Sequence, residues 1–506
     1  MKPSKPSSIL TALIAFLLLL SFAQAGVAQA VARKRKPSAA AKKPIAEAQR
    51  DIAHLETLIP QLMNEGEVPG LSLALIRDAK IYWARGFGFK DINTKAPVDE
   101  RTMFEAASLS KPVFAYAVLK MVERGDLDLD TPLSKYLPAY IDNDERLNLI
   151  TARRVLSHTT GFPNWRNDGK PLTIFFTPGE RFSYSGEGFV YLQKVVERLT
   201  GQPLNEVMRK EVFAPLGMAS STYVWQDEIE PQMAAGHSPN GKAMGKRKGS
   251  EANAAASLRT TPTDYAKFVI AILNGTGLKE TTVQQMLTPQ VRLDDGCVNC
   301  LTRKLMQPST ALSWGLGVGL EHTEQGDAFW HWGDNGGFKD GVMAFKKLKT
   351  GVVIFTNSDN GLGIIPEIIK AALGGNHPVF SWLTYDAYNS PTRRLHKTID
   401  QAGIEAAVRQ FREARRQHPD SFKANEGAMN SLGYSYLRSK KVKEAIELFK
   451  LNVEMFPTSS NVYDSLGEAY MESGDKGLAM QNYQKAIELN PANANAVEML
   501  KKLQEK

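Results

Sequence analysis

The first strong hydrophobic pattern in the sequence is helical. In IAEAQRDIAHLETLIPQLMNE, which begins at Ile45, apolar residues recur every three or four positions, and this predicts an amphipathic helix. Two alternating apolar runs then flank a polar turn at 77–80, which predicts a β-hairpin. A second helical pattern extends from Thr102 to Glu123.

Strand patterns return in the run from 327 to 358, which contains DAFWHWG, GVMAFKKL and GVVIFTNS, and the helical run IIPEIIKAAL follows. The intervening residues 125–290 are dominated by helical patterns and by loops rich in Pro, Gly and Asn. Two early and three late strands predict one antiparallel sheet covered by helices, with an all-helical insert. The fold class predicted for residues 45–378 is therefore α/β of the α+β type.

The C-terminal part of the sequence repeats with a period of 34 residues. The matching pairs are Leu432/Leu466, Gly433/Gly467, Tyr436/Tyr470, Ala445/Ala479, Phe449/Tyr483 and Pro457/Pro491. The pattern is similar to the tetratricopeptide repeat, a pair of packed helices. We expect a linker at 379–397 and an all-α repeat domain at 398–506, which packs on the main domain or on a protein partner.

An apolar run near the N-terminus predicts a targeting segment. Lys2 and Lys5 precede the run from 9 to 22, and small-residue cleavage sites follow it. This is the pattern of a secretory signal peptide at 1–25, with cleavage as late as residue 30; an uncleaved anchor is the alternative. We therefore expect a secreted protein of the bacterial periplasm, with no transmembrane segment in the mature chain.

The net charge of +8 also lies at the N-terminus. Residues 1–43 contain eight Lys or Arg and no Asp or Glu, so the rest of the chain has a formal net charge of zero. The basic Ala/Lys/Pro stretch at 26–44 predicts a solvated linker, and contact with anionic lipid or wall polymers is the alternative. Nothing in the remaining composition favours a nucleic-acid partner.

Two cysteines, Cys297 and Cys300, stand close together in a polar stretch. Two ligands do not make a zinc site, and no thioredoxin-like context surrounds the pair. In an oxidising compartment we expect a local disulfide between them. No metal and no cofactor is predicted.

Candidate chemistry begins with the S-x-x-K string from Ser108 to Lys111. Three residues apart on a helix, the amine can reach the hydroxyl, and the serine N–H at a helix start can serve as an oxyanion donor. The alternative is that Ser108 is a helix cap and Lys111 a solvated side chain. A second S-x-x-K, at 473–476, falls in the turn of a repeat and is not expected to be catalytic.

Many blocks around this string agree with one family. They are EAASLSKPVFAYAVLKMVERGDLDLDTPLSKYLP, LSHTTGFPNW, TPGERFSYSGEGFVYLQKVVERLTG, VFAPLGMASSTY, WGLGVGL and FWHWGDNGGFKDGVMAFKKLKTGVVIFTNS. Over about residues 50–375 the chain resembles the serine β-lactamase-related hydrolases, which include class C β-lactamases, D,D-peptidases, D-aminopeptidases and esterases. The resemblance implies that Ser108 is the acylated nucleophile and Lys111 its proton partner.

The family's second motif, Tyr-x-Asn, maps onto Tyr184-Ser185-Gly186. The resemblance implies that Tyr184 passes a proton to the leaving group, as a phenol or as a phenolate held by Lys111; a packing role is the alternative. Gly186 stands where the family has a substrate-binding amide, which puts a β-lactam-like binding mode in doubt.

The third motif is Lys-Thr-Gly or His-x-Gly, and the chain contains both strings. Lys349 lies between two predicted strands, where we expect a hairpin turn at Thr350-Gly351. His331 lies on a strand that enters a Gly-rich loop, so we assign the motif to it, with a packing histidine as the alternative. Gly333 is expected to let substrate lie along the strand, and the resemblance implies the Asp334 N–H as a second oxyanion donor.

These residues predict a secreted serine hydrolase that forms a covalent acyl-enzyme. Histidine in place of lysine, together with Gly186, favours esters or D-amino-acid peptide and amide bonds over β-lactams. One alternative is a peptidoglycan D,D-peptidase or β-lactamase. The other is a non-catalytic periplasmic scaffold that binds a protein through residues 398–506. His158 is expected to be structural.

Overall fold

An antiparallel sheet is built from two separate stretches of the chain. The computed structural model describes residues 45–166, 170–294, 297–302 and 307–505, without the side chains of 45–50; the predicted signal peptide and basic linker lie outside these residues. Within them, nine strands form one sheet in the order β3-β2-β1-β11-β10-β9-β8-β7-β6. Its strands are β1 (Gly70–Arg77), β2 (Lys80–Asp91), β3 (Ala96–Pro97), β6 (Val291–Asp294), β7 (Pro308–Trp314), β8 (Gly319–Thr323), β9 (Gly326–Asn335), β10 (Phe338–Phe345) and β11 (Thr350–Thr356).

Strand β1 shows why this sheet is covered on both faces. It pairs with β2 on one side and with β11 on the other, and almost all of its residues are buried. Leu73 and Leu75 belong to the hydrophobic core on one face, whereas Ala74 and Ile76 belong to the core on the other. Period-two alternation therefore supplies apolar side chains to two layers of helices.

Helices cover the two faces of the sheet and fill the insert. They are α1 (Ile45–Gly66), α2 (Ser110–Arg124), α3 (Ala152–Leu156), α4 (Gly186–Thr200), α5 (Leu204–Met208), α6 (Ala214–Leu216), α7 (Pro262–Asn274), α8 (Glu280–Met286), α9 (Ile365–Leu373) and α10 (Pro378–Leu383). Helices α2, α4 and α7 share one core, and α1, α9 and α10 share the other. The predicted fold class, an antiparallel sheet flanked by helices with a helical subdomain, is confirmed.

The helix predicted from Thr102 to Glu123 is shorter than expected. Phe104–Glu105 forms the short strand β4, which pairs with β5 (Arg259–Thr260), and a 3₁₀ turn at Ala107–Leu109 precedes α2. Ala107 has a φ of +48°, which an α-helix cannot include. The break in the helical pattern therefore falls at the candidate nucleophile, Ser108.

The C-terminal helices form a third hydrophobic core. They are α11 (Pro391–Ala402), α12 (Ile404–Gln417), α13 (Glu426–Arg438), α14 (Val442–Met455), α15 (Ser460–Ser473), α16 (Lys476–Leu489) and α17 (Ala494–Gln504). A Cβ at Gly433 would lie 2.5 Å from the Phe449 ring, and one at Gly467 would lie 2.9 Å from the Tyr483 ring. The repeated glycines thus permit each helix pair to pack closely, and the predicted repeat architecture is confirmed.

The segment 379–397, predicted to be a linker, contains α10 and the first half of α11. Val379 and Trp382 are buried in the core beneath the sheet, and Leu395 is buried in the repeat core. The polar and Pro-containing composition suggested a spacer, but these apolar side chains fold the segment onto both neighbours. No helix of the described residues is long and apolar enough to cross a membrane.

Candidate active site

Ser108 lies in the 3₁₀ turn that precedes α2, and β9 packs against this turn. The turn is held by Ala106, whose N–H donates to the Leu258 carbonyl at 2.8 Å. Ser110 braces it from inside: its hydroxyl donates to the Ala107 carbonyl at 2.6 Å and accepts from the Leu258 N–H at 2.9 Å. Ser108 itself does not cap the helix and stays half-buried, which leaves its hydroxyl available for chemistry.

Lys111 is fully buried in the first turn of α2. Its Nζ donates to the Ser108 Oγ at 3.0 Å and to the Ala255 carbonyl at 2.7 Å, and it lies 4.7 Å from the centre of the Tyr184 ring. Burial lowers the pKa of Lys111 well below its ordinary value, and no carboxylate of the described chain pairs with it to oppose this. A neutral amine in hydrogen-bond contact with a serine hydroxyl can act as its general base.

Tyr184 stands at the end of an extended segment, just before α4. Its ring lies 4.9 Å from the Trp332 ring, and its N–H donates to the Val298 carbonyl at 2.9 Å. The hydroxyl is buried and has no hydrogen-bond partner among the residues described, and burial raises its pKa although nearby Ser108 opposes the rise. Of the two protonation states considered from the sequence, these surroundings favour the phenol.

His331 lies on β9, and its side chain is buried. Its Nδ1–H donates to the Trp332 carbonyl at 2.8 Å, so Nε2 keeps a lone pair, which meets no donor in the described part of the structure. Burial lowers the pKa of His331 to about 3, and the neighbouring Lys111 amine adds to the effect. The imidazole is therefore neutral at pH 7 and supplies no fixed positive charge.

Gly333 and Asp334 follow on the same strand. A Cβ at Gly333 would lie 2.8 Å from the Ala106 carbonyl and 2.7 Å from the Asp340 carboxylate, so glycine lets β9 approach the turn that carries the nucleophile. The expected role of Gly333, to let substrate lie along the strand, stays a prediction. The Asp334 carboxylate accepts from the Tyr385 hydroxyl at 2.6 Å and pairs with Lys339. The role of the Asp334 N–H as an oxyanion donor stays a prediction.

Gly186 is the first residue of α4, and its N–H donates to the Asn164 Oδ1 at 2.9 Å. A Cβ at this position would lie 2.8 Å from the Trp165 ring and 3.0 Å from the Asn164 carbonyl. The space that an asparagine would need is occupied by the 164–165 segment, which accounts for the departure from Tyr-x-Asn.

A family model for β-lactamases matches residues 55–369. The chain belongs to the β-lactamase family. A tetratricopeptide-repeat model matches residues 460–493. Membership confirms the prediction of a serine-hydrolase domain, followed by repeats.

An esterase and a penicillin-binding protein are among the curated relatives of this chain. Esterase EstB of Burkholderia gladioli is 32% identical in an alignment of 213 positions that covers 36% of this chain and 53% of EstB, so the match spans about half of EstB's length. Penicillin-binding protein 4* of Bacillus subtilis (strain 168) is 23% identical in an alignment of 404 positions that covers 70% of this chain and 81% of that protein. The relatives thus carry names from both the esterase and the penicillin-binding branches.

Solved structures share the fold of this β-lactamase-family chain. The octameric penicillin-binding protein homologue from Pyrococcus abyssi aligns with a TM-score of 0.54 and 21% identity, covering 70% of this chain and 82% of that chain. D-alanine carboxypeptidase AmpC from Burkholderia cenocepacia aligns with a TM-score of 0.54 and 19% identity, covering 65% of this chain and 99% of that chain. At these identities the likeness concerns the fold alone.

His158 lies closer to the candidate catalytic group than the sequence indicated. Its ring is 4.3 Å from the Tyr184 ring, and its Nδ1 accepts from the Ser185 N–H at 3.0 Å. It is fully buried, and burial lowers its pKa well below the ordinary value, so it packs as a neutral ring. His158 was expected to be structural, but its packing against Tyr184 was not predicted; the only signal in the sequence was the block SHTTG, which we expected to be a turn.

Lys349 lies in the turn between β10 and β11, where its carbonyl accepts from the Ala79 N–H at 2.9 Å. The turn occupies 346–349, slightly earlier than predicted, and Thr350 already begins β11. This turn follows the C-terminal end of β10, whereas the loop after Asn335 precedes the N-terminal end of β10. The two loops therefore lie at opposite edges of the sheet. The literal Lys-Thr-Gly string is therefore remote from Ser108, whereas His331 is close to Tyr184, at a ring distance of 6.2 Å.

Cys297 and Cys300 form a disulfide, as we expected for an oxidising compartment. The loop between them supplies the Val298 carbonyl that accepts from the Tyr184 N–H. The Arg181 guanidinium donates to the Leu301 carbonyl at 2.9 Å. Both contacts fix the disulfide loop against the segment that leads to Tyr184, a link that the sequence did not indicate.

Proposed function

We propose that this chain hydrolyses ester bonds or D-amino-acid peptide and amide bonds through an acyl-enzyme on Ser108. The observation that supports this most strongly is the 3.0 Å contact between the Ser108 hydroxyl and the amine of buried Lys111. Because its pKa is lowered, Lys111 can accept the serine proton near neutral pH.

Acylation begins when Ser108 Oγ attacks the substrate carbonyl carbon and its proton moves to Lys111 Nζ. The carbonyl oxygen becomes an oxyanion, which the Ser108 N–H and the predicted Asp334 N–H would receive. When the intermediate collapses, the bond to the leaving group breaks. The Tyr184 phenol gives its proton to the leaving group and regains one from the Lys111 ammonium.

Deacylation reverses these roles. A water molecule attacks the ester carbonyl carbon of the acyl-enzyme, and its proton passes through the Tyr184–Lys111 pair. The new intermediate then expels Ser108 Oγ, which takes the proton back, and the carboxylic acid leaves. The cycle consumes one water and needs no metal or redox partner.

The charge of the site supports neutral acyl groups as substrates. His331 is neutral where other members of the family have a lysine, and no amide side chain is present at Gly186. A free carboxylate next to the scissile bond would find no fixed cation at these positions. The 32% identity with esterase EstB points in the same direction.

The first experiment compares wild type with Ser108→Ala on p-nitrophenyl esters, D-alanyl anilides and nitrocefin. We expect ester or anilide turnover that Ser108→Ala abolishes, with an acyl adduct on wild type by mass spectrometry. If both proteins are inactive on every substrate and no adduct forms, the scaffold hypothesis replaces this proposal.

A second candidate is a peptidoglycan D,D-peptidase or β-lactamase. The alignment with penicillin-binding protein 4* extends over 404 residues, a longer stretch than the match with EstB. Rapid covalent labelling of Ser108 by a fluorescent penicillin would favour this candidate. Slow or absent labelling beside fast ester turnover would favour the first proposal.

The protein is further proposed to act outside the cytoplasm, in a bacterial periplasm. Two observations support this proposal. The apolar N-terminal run has the pattern of a signal peptide, and the Cys297–Cys300 disulfide is of a kind that persists mainly in oxidising compartments. Fractionation of cells that express the full chain tests this: a processed product in the periplasm is expected, and an unprocessed cytoplasmic product would contradict it.

The repeat helices are proposed to bind a protein, because the match at 460–493 is to a repeat that forms packed helical pairs. Crosslinking in a periplasmic extract, with and without residues 398–506, tests this proposal. Crosslinks that depend on those residues are expected, and an identical pattern for both chains would contradict it.

A further inference from the structure

The segment 164–165 takes the place of the missing motif side chain. The Asn164 carbonyl accepts from the Glu187 N–H at 2.9 Å, while its side-chain Oδ1 accepts from the Gly186 N–H at 2.9 Å. Both acceptors hold the segment against the first turn of α4, directly after Tyr184 and Ser185. Asn164 is thus bonded to the position that the family gives to an amide side chain.

These contacts also orient the Asn164 amide. Because Oδ1 is occupied by the Gly186 N–H, the Nδ2 group must point away from Gly186. Asn164 is half-buried, and among the described residues its Nδ2 donates to no acceptor. The side chain therefore offers an oriented amide donor at the first turn of α4, whose Gly186 stands two residues after Tyr184.

Trp165 completes this surface. Its ring edge fills the space next to Gly186, and the ring centre lies 6.0 Å from Lys111 Nζ. The side chain remains 43% exposed, which is unusual for tryptophan so close to a buried amine. A flat apolar face is therefore open to solvent within reach of the nucleophile's base.

We propose that Asn164 and Trp165 form an acyl-recognition surface. Asn164 Nδ2 donates to an amide carbonyl of the acyl group, and Trp165 packs against its apolar side chain. The chemical class that offers both features is an ester or amide of an N-acylated aromatic amino acid. This inference rests on the proposed acyl-enzyme chemistry at Ser108 and specifies which acyl groups that site prefers.

Three p-nitrophenyl esters with the same leaving group separate the two contacts. They are the propanoate, the 3-phenylpropanoate and the N-acetylphenylalaninate, the last in its D and L forms. The second adds an aromatic ring to the first, and the third adds an amide carbonyl to the second. Ratios of kcat/KM between neighbouring esters therefore report Trp165 and Asn164 separately.

Asn164→Asp is the decisive variant, because a carboxylate oxygen can still accept from the Gly186 N–H while the Nδ2 donor is lost. We expect the preference for N-acetylphenylalaninate over 3-phenylpropanoate to fall about tenfold. Trp165→Ala should lower the preference for 3-phenylpropanoate over propanoate by a similar factor, and Trp165→Phe should keep most of it. Using ratios cancels any general effect of the new charge on Lys111.

Matched controls carry the same changes elsewhere on the surface. Asn274→Asp lies at the exposed end of α7, and Tyr82→Ala truncates an exposed aromatic side chain on β2. Both should keep wild-type ratios. If Asn164→Asp and Trp165→Ala also keep them while Ser108→Ala abolishes ester turnover, the inference is wrong and the proposed function stands. If Ser108→Ala has no effect on the propanoate, the proposed function itself fails.

Discussion

Lys111 can act as a base only in its neutral form, and its surroundings favour that form. The amine is fully buried, donates to two oxygen atoms, and has no carboxylate partner within the described ranges. A solvated lysine would be almost completely protonated at pH 7. Burial therefore distinguishes a catalytic lysine from a lysine on a helix surface. The S-x-x-K spacing alone does not indicate whether the lysine is buried.

Activity should depend on the proton of Lys111. Because burial lowers its pKa, we expect kcat/KM to be already high below pH 10 and to fall only as acid protonates the amine. Lys111→Arg places a permanently charged group at this position that cannot accept the serine proton, so kcat/KM should drop about a thousandfold or more. The measurement is the pH profile of p-nitrophenyl acetate turnover from pH 5 to 10.5, corrected for spontaneous hydrolysis. A wild-type profile that keeps rising to pH 10.5, as an ordinary lysine would give, contradicts this.

The same burial should lower the stability of the folded chain at neutral pH. The pKa of Lys111 is depressed from its ordinary value of 10.5, so between the two values the unfolded chain binds a proton that the folded chain lacks. The free energy of unfolding therefore rises with pH, by up to about 1.4 kcal/mol per unit, until pH 10.5. Lys111→Met should be inactive yet more stable than wild type at pH 7, with the gap closing as pH rises. Thermal unfolding of both proteins at pH 6 to 9 tests this; a difference in stability that does not change with pH would contradict it.

At the scale of helices and strands, the sequence predicts contacts between residues that are close together in the sequence. The β1–β2 hairpin follows from alternation around 77–80, and the repeat helices follow from a strict period of 34. The contacts that build the site join distant segments instead: Trp165 fills the space beside Gly186, and Val298 accepts from Tyr184. No local pattern encodes such pairs, so the positions of Tyr184 and Gly186 could be predicted only from the family resemblance.

The disulfide loop should influence catalysis through Tyr184. The Cys297–Cys300 bond closes the loop whose Val298 carbonyl accepts the Tyr184 N–H. We expect a Cys297→Ala/Cys300→Ala variant to lower kcat several-fold with little change in KM, because the proton-transfer group is less well positioned. A dithiol reductant should slow wild type but not the variant. Equal kcat values for the two proteins would show that the loop does not position Tyr184.

The repeat glycines offer a test of helix packing. A Cβ at Gly467 would approach the Tyr483 ring to 2.9 Å, so Gly467→Ala forces the ring or the helix to move. We expect this variant to lose about 1–3 kcal/mol of repeat stability. Gly427→Ala in α13 is the matched control, since its nearest atom is 3.4 Å away and alanine favours helix. Circular dichroism during urea unfolding should therefore separate the two; a stabilised Gly467→Ala would refute the packing argument.

At the scale of the whole molecule, the site forms where the two ends of the hydrolase domain meet. Ser108, Lys111 and Tyr184 come from the first part, whereas His331 comes from a strand that pairs only with late strands. Alternation predicted five strands, but β7 and β8 carry polar residues at mixed positions and were not predicted. Trp332 and Asp334 also line a cavity of about 610 Å³, and residues of α13 line it as well. The hydrophobic patterns of the hydrolase and repeat regions do not predict this contact between them.

The sequence predicts that the hydrolase domain ends at residue 378, and contacts of the next few residues lead us to expect that it extends further. Trp382 is buried beneath the sheet and its indole N–H donates to the Asp294 carbonyl at 2.9 Å, while the Tyr385 hydroxyl donates to Asp334 at 2.6 Å. A chain that ends at 378 loses both contacts, and a chain that ends at 389 keeps them. Removing a buried tryptophan costs about 3–5 kcal/mol, so the shorter chain should melt well below the longer one or fail to fold.

Full-length protein with Trp382→Ala is the control for this comparison, because it removes the indole and keeps the repeats. It should reproduce most of the loss of stability, whereas Tyr385→Phe should have a smaller effect because only one hydrogen bond is lost. Ester turnover should survive in the chain that ends at 389, since all four candidate catalytic side chains remain. If the chain that ends at 378 is as stable and as active as the one that ends at 389, α10 belongs to the repeat region and the predicted boundary is right.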